Sequence, residues 1–231
     1  MCGYVRRDFS AADLPGFMRA MGMPQLFQDA PQPDYPMHFY PAFGGAAGKI
    51  IPDLIISDKT EAKTVNATWW FDCHEEDGQL IVGSRTTFNA RNLKSPFWKG
   101  ALRHHRAIVL ATAIGEGKNI NGKNTHFLVE GSPPLLLGAV YREFPSGHYS
   151  TAIITRDAHP RFDKYHDKAF PFFLPPEPEI LKRWLSPVPE TDSVISDLLE
   201  HPAIYNDLKI TKVKTLKGGV AMAEPEFLRP D

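Results

Sequence analysis

The second residue of the chain, Cys2, offers the most distinctive chemistry in the sequence. Removal of Met1, which a small second side chain favours, would leave Cys2 with a free α-amine beside its thiol. The amine has an ordinary pKa of about 7.7–8.0 and the thiol of about 8.5, so both are partly nucleophilic at neutral pH. Such a 1,2-aminothiol condenses with an aldehyde to an imine, and the thiolate then closes a five-membered thiazolidine ring. The sequence therefore indicates a nucleophile at the amino terminus that an internal cysteine cannot replace; the alternative interpretation is that cysteine is the second residue by chance.

Three further positions carry side chains that could act on the groups of Cys2. Asn89 follows a predicted strand and could hydrogen-bond a reacting amine or thiol, while Arg91 beside it could hold a phosphate bidentately. Glu116 stands between two glycines at the end of a strongly apolar segment. His166 lies in a polar segment before an apolar one and could shuttle protons. Taken singly, each of these residues is equally typical of a turn or a loop.

Positive charge is concentrated in the middle of the chain. The net charge is −1, yet Glu116 is the one acidic residue between positions 78 and 129. The bases of this segment are Arg85, Arg91, Lys94, Lys99, Arg103, Arg106, Lys118 and Lys123, with His104, His105 and His126. If the segment forms one face, it predicts a surface for phosphates; a solvated basic surface is the alternative interpretation. A single carboxylate among bases is typical of a residue that works as an acid or base.

Length and composition indicate a globular protein of one domain, residues 1–231. The chain is 42% hydrophobic and 23% charged, with no apolar run long enough to cross a membrane and no secretory signal. Cys2 and Cys73 are its two cysteines, which excludes a disulfide scaffold and fits a reducing compartment, so we expect a cytoplasmic protein. A metal site at Cys73-His74 with His104-His105 matches no standard zinc spacing, and we expect neither metal nor cofactor.

The elements that must position these residues are strands in the middle of the chain and helices at its edges. Strands are predicted at residues 65–71, 80–88, 107–114, 125–129, 135–141 and 149–155, with a closing hairpin at 207–216 and 219–223. Helices are predicted at residues 10–21 with Ser10 as cap, 95–105 with Ser95 and Pro96, 175–185, and 191–201 with Thr191 as cap. Residues 24–52 are predicted to be irregular. The pattern favours the α+β class, with a largely antiparallel, barrel-like sheet and peripheral helices.

The order and spacing of the motifs resemble the SOS-response-associated peptidase (SRAP) family. The resemblance covers residues 1–185, and it is carried by Met1-Cys2-Gly3, Asn89-Ala90-Arg91, a strand ending at Glu116, and His166-Asp167 followed by Pro171. Members of this family process abasic sites in single-stranded DNA, and their N-terminal cysteine forms a thiazolidine crosslink with the ring-opened sugar aldehyde. Some members remove residues ahead of that cysteine, which gave the family its peptidase name.

Carried over position by position, the resemblance implies roles for five residues. Cys2 would be the crosslinking nucleophile, and Asn89 would orient the amine and the sugar. Glu116 would transfer protons during ring opening, and His166 would shuttle protons for imine formation and ring closure. Arg91 would bind the phosphate beside the lesion. Further DNA contacts are expected from Lys168, Tyr4, Arg85, Trp70 and Arg106. The resemblance also implies a monomer that acts on single-stranded DNA, nucleoid-associated in a bacterial or phage-infected cell.

The chain departs from the family pattern at several of these positions. Tyr4 stands where the family has arginine, Gly115 and Gly117 stand where it has aromatic residues around the glutamate, and Lys168 replaces an arginine. The family pattern Trp-Gly-x-x-Pro-x-Trp is absent apart from Trp70, which matches its first tryptophan. Because base stacking contributes about 1–3 kcal/mol per base, we expect weaker DNA binding or the use of other aromatic residues. The candidates are Phe39, Tyr40 and Trp69.

Two other functions fit parts of the sequence. A thiol peptidase would use Cys2 and His166 on a peptide, which leaves the basic segment unexplained. A non-catalytic module for single-stranded DNA would use the basic segment and aromatic residues, bind intact and abasic strands alike, and not need Cys2.

Overall fold

The computed structural model describes residues 2–10, 12–28, 33–45, 49–58, 61–187 and 192–231. Within these residues the helices are α1 (Leu14–Ala20), α2 (Pro96–His104), α3 (Pro178–Leu185) and α4 (Ser193–Glu200). The strands are β1 (Val5–Arg7), β2 (Met37–Phe39), β3 (Ile50–Asp58), β4 (Glu61–Thr68), β5 (Cys73–Glu76), β6 (Gln79–Val82), β7 (Asn89–Ala90), β8 (Arg106–Ile120), β9 (Lys123–Glu143), β10 (Tyr149–Arg156), β11 (Phe170–Pro171), β12 (Asp207–Val213) and β13 (Glu226–Leu228). None of the helices in these ranges is long and apolar enough to cross a membrane.

Five strands close into a barrel at the centre of the fold. Following the hydrogen bonds, β9 pairs with β10, β10 with β4, β4 with β3, β3 with β8, and β8 again with β9. All of these pairings are antiparallel except that of β10 with β4. The predicted α+β class, a largely antiparallel barrel with helices around it, is confirmed.

The apolar run at the start of β8 is explained by burial on both of its faces. Alternate side chains, Ala107 and Val109, point into the barrel core, while Ile108 and Leu110 belong to a second core beneath the helices. Trp184 of α3 fills that outer core and donates its indole N–H to the carbonyl of Ala107 at 2.9 Å. A strand covered on both sides shows no polar alternation, which is why this segment was predictable as buried.

Several predicted boundaries are wrong because pairing continues past local breaks. β8 extends beyond residue 114 to Ile120, paired throughout with β9. β9 is one strand where two were predicted, at 125–129 and 135–141. Its Pro133 and Pro134 lie at an irregularity in the register with β8, where Pro does not interrupt the ladder. The strand predicted at 80–88 deviates in the opposite direction, because β6 ends at Val82.

The closing hairpin and two helix caps also differ from prediction. β12 pairs with β13, whereas the predicted partner at 219–223 makes only an isolated bridge through Ala221. Asp13, not Ser10, caps α1, because its carboxylate accepts from the Gly16 amide at 2.9 Å. Thr191 lies outside the described residues, and Asp192 caps α4 through the amides of the first turn.

Candidate active site

Cys2 is brought to the mouth of the barrel by strand β1. β1 pairs antiparallel with β8, with Val5 opposite Ile114, and the amide of Gly115 donates to the carbonyl of Tyr4 at 3.0 Å. Continuing this register toward the amino terminus places Gly3 opposite Glu116 and Cys2 opposite Gly117, so that Cys2 is close enough for the charge of Glu116 to act on its thiol. The Cys2 side chain is fully buried, with its Sγ 3.9 Å from the carbonyl oxygen of Tyr4. Met1 lies outside the described residues.

Asn89 reaches Cys2 from the opposite side. It begins β7, which runs parallel to β10 with Asn89 opposite Ile153. Its Nδ2 donates to the carbonyl of Cys2 at 3.1 Å and to that of Phe88 at 3.2 Å. Its Oδ1 is buried and has no hydrogen-bond partner within the described part of the chain. Asn89 therefore holds the Cys2 backbone and presents an acceptor that is still available.

Glu116 and His166 form the third side of the site. Glu116 is 1% exposed, and its Oε2 lies 3.4 Å from Nδ1 of His166. The same Nδ1 lies 2.9 Å from the carbonyl oxygen of Gly117. Because a carbonyl can only accept, Nδ1 carries the proton in that contact, and Nε2 is the basic nitrogen of the neutral ring. The strand thus fixes both the orientation and the tautomer of His166.

Lys118 ties the segment that carries His166 to strand β8. Its Nζ donates to the carbonyl of Asp163 at 2.5 Å and lies 3.4 Å from Oδ2 of Asp167. Glu116, Gly117 and Lys118 are consecutive, so three neighbouring residues of one strand contact the same loop. The loop is therefore held in register with the strand.

Burial determines the protonation states at the site. It raises the pKa of Glu116 to about 7 and lowers that of His166. Burial also raises the pKa of the Cys2 thiol, and the charge of Glu116 raises it further. The thiol is therefore protonated at neutral pH, while Glu116 titrates in the range in which a general acid or base is most effective. An amine presented here would react before the thiol does.

Of the residues predicted to contact DNA, Arg85, Arg91 and Lys168 are exposed. Arg91 follows β7 and lies 3.3 Å from the carboxylate of Asp157. Arg85 lies over the ring of Phe97, 5.3 Å from its centroid. All three remain open to a phosphate, because surface ion pairs and stacking contacts of this kind are weak.

Tyr4, Trp70 and Arg106, which were also predicted to contact DNA, are buried and have partners inside the protein. The Tyr4 hydroxyl is 2.6 Å from Nδ1 of His38, and burial raises the pKa of that phenol to about 12. Trp70 donates its indole N–H to the carbonyl of Gly83 at 3.2 Å. The Arg106 guanidinium donates to the backbone carbonyls of Leu102, Arg103, Trp184 and Ser186. The polar groups of these three side chains are therefore hydrogen-bonded inside the protein and differ in this respect from the exposed Arg85, Arg91 and Lys168.

Two of the departures from the family pattern, Tyr4 and Gly115, are coupled by packing. A Cβ on Gly115 would lie 2.8 Å from Cδ1 of Tyr4 and 2.5 Å from Cδ1 of Leu216. The Tyr4 ring therefore occupies the space that a side chain at position 115 would need. At Gly117 the nearest atom would be 3.7 Å away, so that glycine is not required by packing.

Two exposed residues that were not among the predicted site residues are connected to the site, Phe43 through Phe88 and Lys212 through the strand pairings. Phe43 is 51% exposed, and its ring lies 4.9 Å from that of Phe88, the residue before Asn89. Lys212 is exposed on β12 opposite Phe127, which in turn lies opposite Glu116. Phe43 belongs to the Pro-rich irregular segment, which gives no periodic signal. Lys212 could have been noticed as one of several lysines in the predicted closing strand.

The described residues include no group of three or more His, Cys, Asp or Glu side chains placed to hold a metal ion. Cys73 and His74 lie on the β5–β6 hairpin, and their side chains differ in environment: the thiol is buried and the imidazole exposed.

Comparison with known proteins gives one family and a shared fold. The family model described as SOS response associated peptidase (SRAP) matches residues 1–219. A comparison with curated proteins gives no match. Among solved structures, a phage-related protein from Bordetella bronchiseptica is similar at 18% identity, with a TM-score of 0.63, over 97% of this chain and 100% of that one. A second Bordetella bronchiseptica protein is similar at 17% identity, with a TM-score of 0.63, over 93% and 100%. A Bacteroides thetaiotaomicron protein is similar at 18% identity, with a TM-score of 0.59, over 91% and 92%.

Proposed function

Because the chain belongs to the SOS response associated peptidase family, we propose that it binds abasic sites in single-stranded DNA and captures them as a thiazolidine crosslink on Cys2. The observation that carries this proposal is the meeting of Cys2, Asn89, Glu116 and His166 at one end of the barrel. These residues come from four separate segments, and the fold gives each a contact with a neighbour in the set. The set has the groups that aldehyde capture by an aminothiol needs.

Capture begins at the amine, because burial keeps the thiol protonated. The free amine of mature Cys2 attacks the aldehyde carbon of the ring-opened sugar, and a C–N bond forms. Glu116 donates a proton to the departing hydroxyl, so water leaves and an imine remains. With its pKa at about 7, Glu116 is partly protonated at neutral pH and can then recover the proton. Asn89 orients the amine through its buried Oδ1.

Ring closure uses the second nucleophile of the same residue. The Cys2 thiol loses its proton as Sγ attacks the imine carbon, a C–S bond forms, and the imine nitrogen gains a proton. His166 relays this proton from its Nε2 side, since Nδ1 is held by Gly117. The balance is one aldehyde and one aminothiol giving one thiazolidine and one water, with no oxidant, reductant or metal.

DNA is held, in this proposal, by exposed residues around the mouth. Arg91 and Lys168 flank the site in sequence, next to Asn89 and His166, and bind the phosphates beside the lesion. Phe43 provides a ring for base stacking in place of the buried Trp70. Arg85 and Lys212 extend the basic surface on either side.

The geometry supports a thiol peptidase less well. Such an enzyme needs a thiolate, usually paired with a histidine. Burial and the charge of Glu116 raise the pKa of the Cys2 thiol, and His166 is oriented toward Glu116 and Gly117. A non-catalytic DNA-binding module would have no need of a buried carboxyl group such as that of Glu116.

The decisive experiment mixes mature protein with a labelled single-stranded abasic oligonucleotide. We expect an adduct that survives denaturation and whose mass is the sum of the two reactants less one water. The matched control is the same chain with Met1 retained, confirmed by intact mass, which lacks the aminothiol and should give no adduct. If mature protein binds the oligonucleotide but gives no adduct, the proposal is wrong.

A further inference from the structure

The segment before His166 is bound by the end of the chain. We call residues 159–167 the His166 loop and residues 224–231 the C-terminal strap. The strap includes β13, and it lies beyond residues 1–219, which the family model matches. The role of the strap is therefore inferred from its own contacts and not from the family match.

Glu226 in β13 joins the strap to the loop directly ahead of His166. Its two carboxylate oxygens accept from Nζ of Lys164 at 2.7 and 2.5 Å. Oε2 also accepts from the hydroxyl of Tyr165 at 3.0 Å. The Lys164 ion pair is exposed and contributes little by itself, whereas Tyr165 is buried, so the hydroxyl contact is the more constraining one.

The end of the strap binds the start of the same loop. Arg161 donates to Oδ1 of Asp231 at 2.6 Å and to the carbonyl of Arg229 at 2.8 Å. His159 lies 3.1 Å from Oδ2 of Asp231, and that oxygen also accepts from the amide of Ile204 at 2.7 Å. The loop is therefore held at both of its ends by the strap.

Tyr165 transmits this constraint to the site. Its ring lies 5.3 Å from that of Phe127, which stands opposite Glu116 in the pairing of β8 with β9. Its backbone is joined to His166, whose ring contacts Glu116 and Gly117. Tyr165 thus contacts Glu226 of the strap through its hydroxyl. Its ring packs on Phe127, the residue opposite Glu116, and its backbone continues directly into His166.

We propose that the C-terminal strap is a positioning element for His166, acting through Glu226 and Tyr165. The inference rests on the proposed function, because it gives His166 the task of proton transfer. The strap fixes the loop from outside, Lys118 fixes it from strand β8, and the His166 ring is held between these two anchors. Loss of the Tyr165–Glu226 contact lets the ring leave the carbonyl of Gly117 and slows proton transfer without altering the DNA surface.

The test compares Tyr165→Phe and Glu226→Ala with Glu226→Gln and Arg229→Met. Tyr165→Phe removes one hydroxyl and keeps the buried ring. Glu226→Gln keeps an acceptor for that hydroxyl, so it should restore most of what Glu226→Ala loses. Arg229→Met is the matched control: its side chain lies on the strap but pairs with Asp207 of β12 and not with the loop.

We expect Tyr165→Phe and Glu226→Ala to slow adduct formation about tenfold, with DNA affinity within about twofold of wild type. The pH dependence of the rate should change in these two variants, because the environment of the His166 ring changes. NMR of the same proteins should show altered chemical shifts and an altered titration of the His166 ring. Arg229→Met should match wild type in all three measurements.

Unchanged His166 signals and an unchanged pH profile in both Tyr165→Phe and Glu226→Ala would overturn the inference. The NMR measurement needs no crosslink. If wild type forms no adduct while His166 still responds to Tyr165→Phe, the proposed function fails and the positioning role of the strap stands. If wild type forms the adduct and the His166 signals do not respond to Tyr165→Phe, the proposed function stands and the positioning role of the strap fails.

Discussion

The two cysteines of this chain lie in two regions of the same hydrophobic core, and these regions differ in the polar groups that surround each cysteine. Cys2 and Cys73 are both buried, and burial raises the pKa of both thiols, that of Cys73 to about 12. Cys73 lies on the β5–β6 hairpin, outside the large sheet, and donates to the carbonyl of Trp70 at 3.1 Å. Cys2 lies at the barrel mouth, hydrogen-bonded through its carbonyl by Asn89 and close to the buried Glu116.

The comparison shows that thiol acidity does not distinguish Cys2, the cysteine that we propose to react, from Cys73. Neither thiol is ionised at neutral pH, so a search for a depressed cysteine pKa would have missed both. The distinction lies in the neighbours of each cysteine. Cys2 is bound by the amide of Asn89, lies close to the buried carboxyl of Glu116 and would gain a free α-amine on removal of Met1, whereas the Cys73 thiol donates to the backbone carbonyl of Trp70. The reactivity that we propose for Cys2 therefore depends on the assembled site and not on thiol acidity alone.

Exchange of each sulfur for oxygen tests this comparison with the largest expected effect. Cys2→Ser keeps the amine but replaces the thiol by a poor nucleophile, so it should form an imine and stop there. The denaturation-resistant adduct should fall at least about 100-fold, while borohydride should still trap the imine. Cys73→Ser should crosslink at the wild-type rate, and its cost should be confined to stability. Gel analysis of labelled oligonucleotide with and without borohydride measures both outcomes.

Equal loss of adduct in Cys2→Ser and Cys73→Ser would remove the distinction between the two regions. Complete loss of borohydride trapping in Cys2→Ser would show that the amine is not the first nucleophile. Circular dichroism of each variant separates these results from failure to fold.

The sequence was sufficient for the fold class and for the residues that meet at the site, for physical reasons that can be named. β8 is apolar on both faces, so its burial was evident, and Pro96 and α2 follow ordinary helix-start chemistry. Cys2, Asn89, Glu116 and His166 were found by motif order, although nothing local in the sequence brings them together. The β1–β8 and β7–β10 pairings do so, and these join segments far apart in the chain.

The exposure of individual side chains could not be predicted from the sequence. Arg106 looked like any base of the central segment, but four backbone carbonyls at the ends of α2 and α3 bind it. Tyr4 was expected to contact DNA, but its ring fills the space above Gly115. Lys212 was overlooked because its relation to Glu116 passes through two strand pairings. Each case depends on tertiary contacts that local sequence does not encode.

The buried carboxyl group of Glu116 distinguishes the region of Cys2 most clearly from that of Cys73. Its effect on the free energy of unfolding can be measured without DNA. The rise in the pKa of Glu116 from 4.5 to about 7 corresponds to about 3 kcal/mol. Below pH 4.5 the carboxyl is protonated in both states and costs nothing. Between pH 4.5 and 7 the native state retains a proton that the unfolded chain releases, so stability falls as pH rises. Above pH 7 the full cost is present.

Glu116→Gln should therefore stabilise the protein by up to about 3 kcal/mol at pH 8 and change little at pH 4.5. Urea unfolding at the two pH values gives both free energies. Glu76→Gln, on the exposed edge of the hairpin that carries Cys73, is the matched control and should alter stability by less than about 0.5 kcal/mol at either pH. A Glu116→Gln effect that is independent of pH would contradict burial as the cause of the shift.

Of the two regions, we expect the one that contains Cys2 to provide the aromatic contact to DNA, through Phe43. Phe43→Ala removes an exposed ring that lies over Phe88 and Trp70, and we expect a loss of binding of about 1–2 kcal/mol, or roughly tenfold in Kd. Tyr35→Ala, which removes a similarly exposed ring, is the control and should leave Kd unchanged. Fluorescence anisotropy with single-stranded DNA measures both. If the two variants lose equal affinity, stacking is not localised beside the site.

The smallest expected effect tests whether the basic surface belongs to the face of the sheet that carries the site. Lys212 and Lys209 both lie on β12, but an odd spacing of three residues places them on opposite faces. Lys212 stands in register with Phe127, and through it with Glu116, whereas Lys209 stands opposite Glu130 and pairs with it at 3.1 Å. A strand of DNA lying across the barrel mouth meets Lys212 and not Lys209.

Lys212→Met should weaken binding about threefold and lower the slope of log affinity against log salt by about 0.7, the contribution of one phosphate. Lys209→Met, with the same loss of charge, should leave that slope unchanged. Equal slopes in the two variants would mean that the protein attracts DNA by its overall field, and the register of β12 with β9 and β8 would then say nothing about the path of the strand.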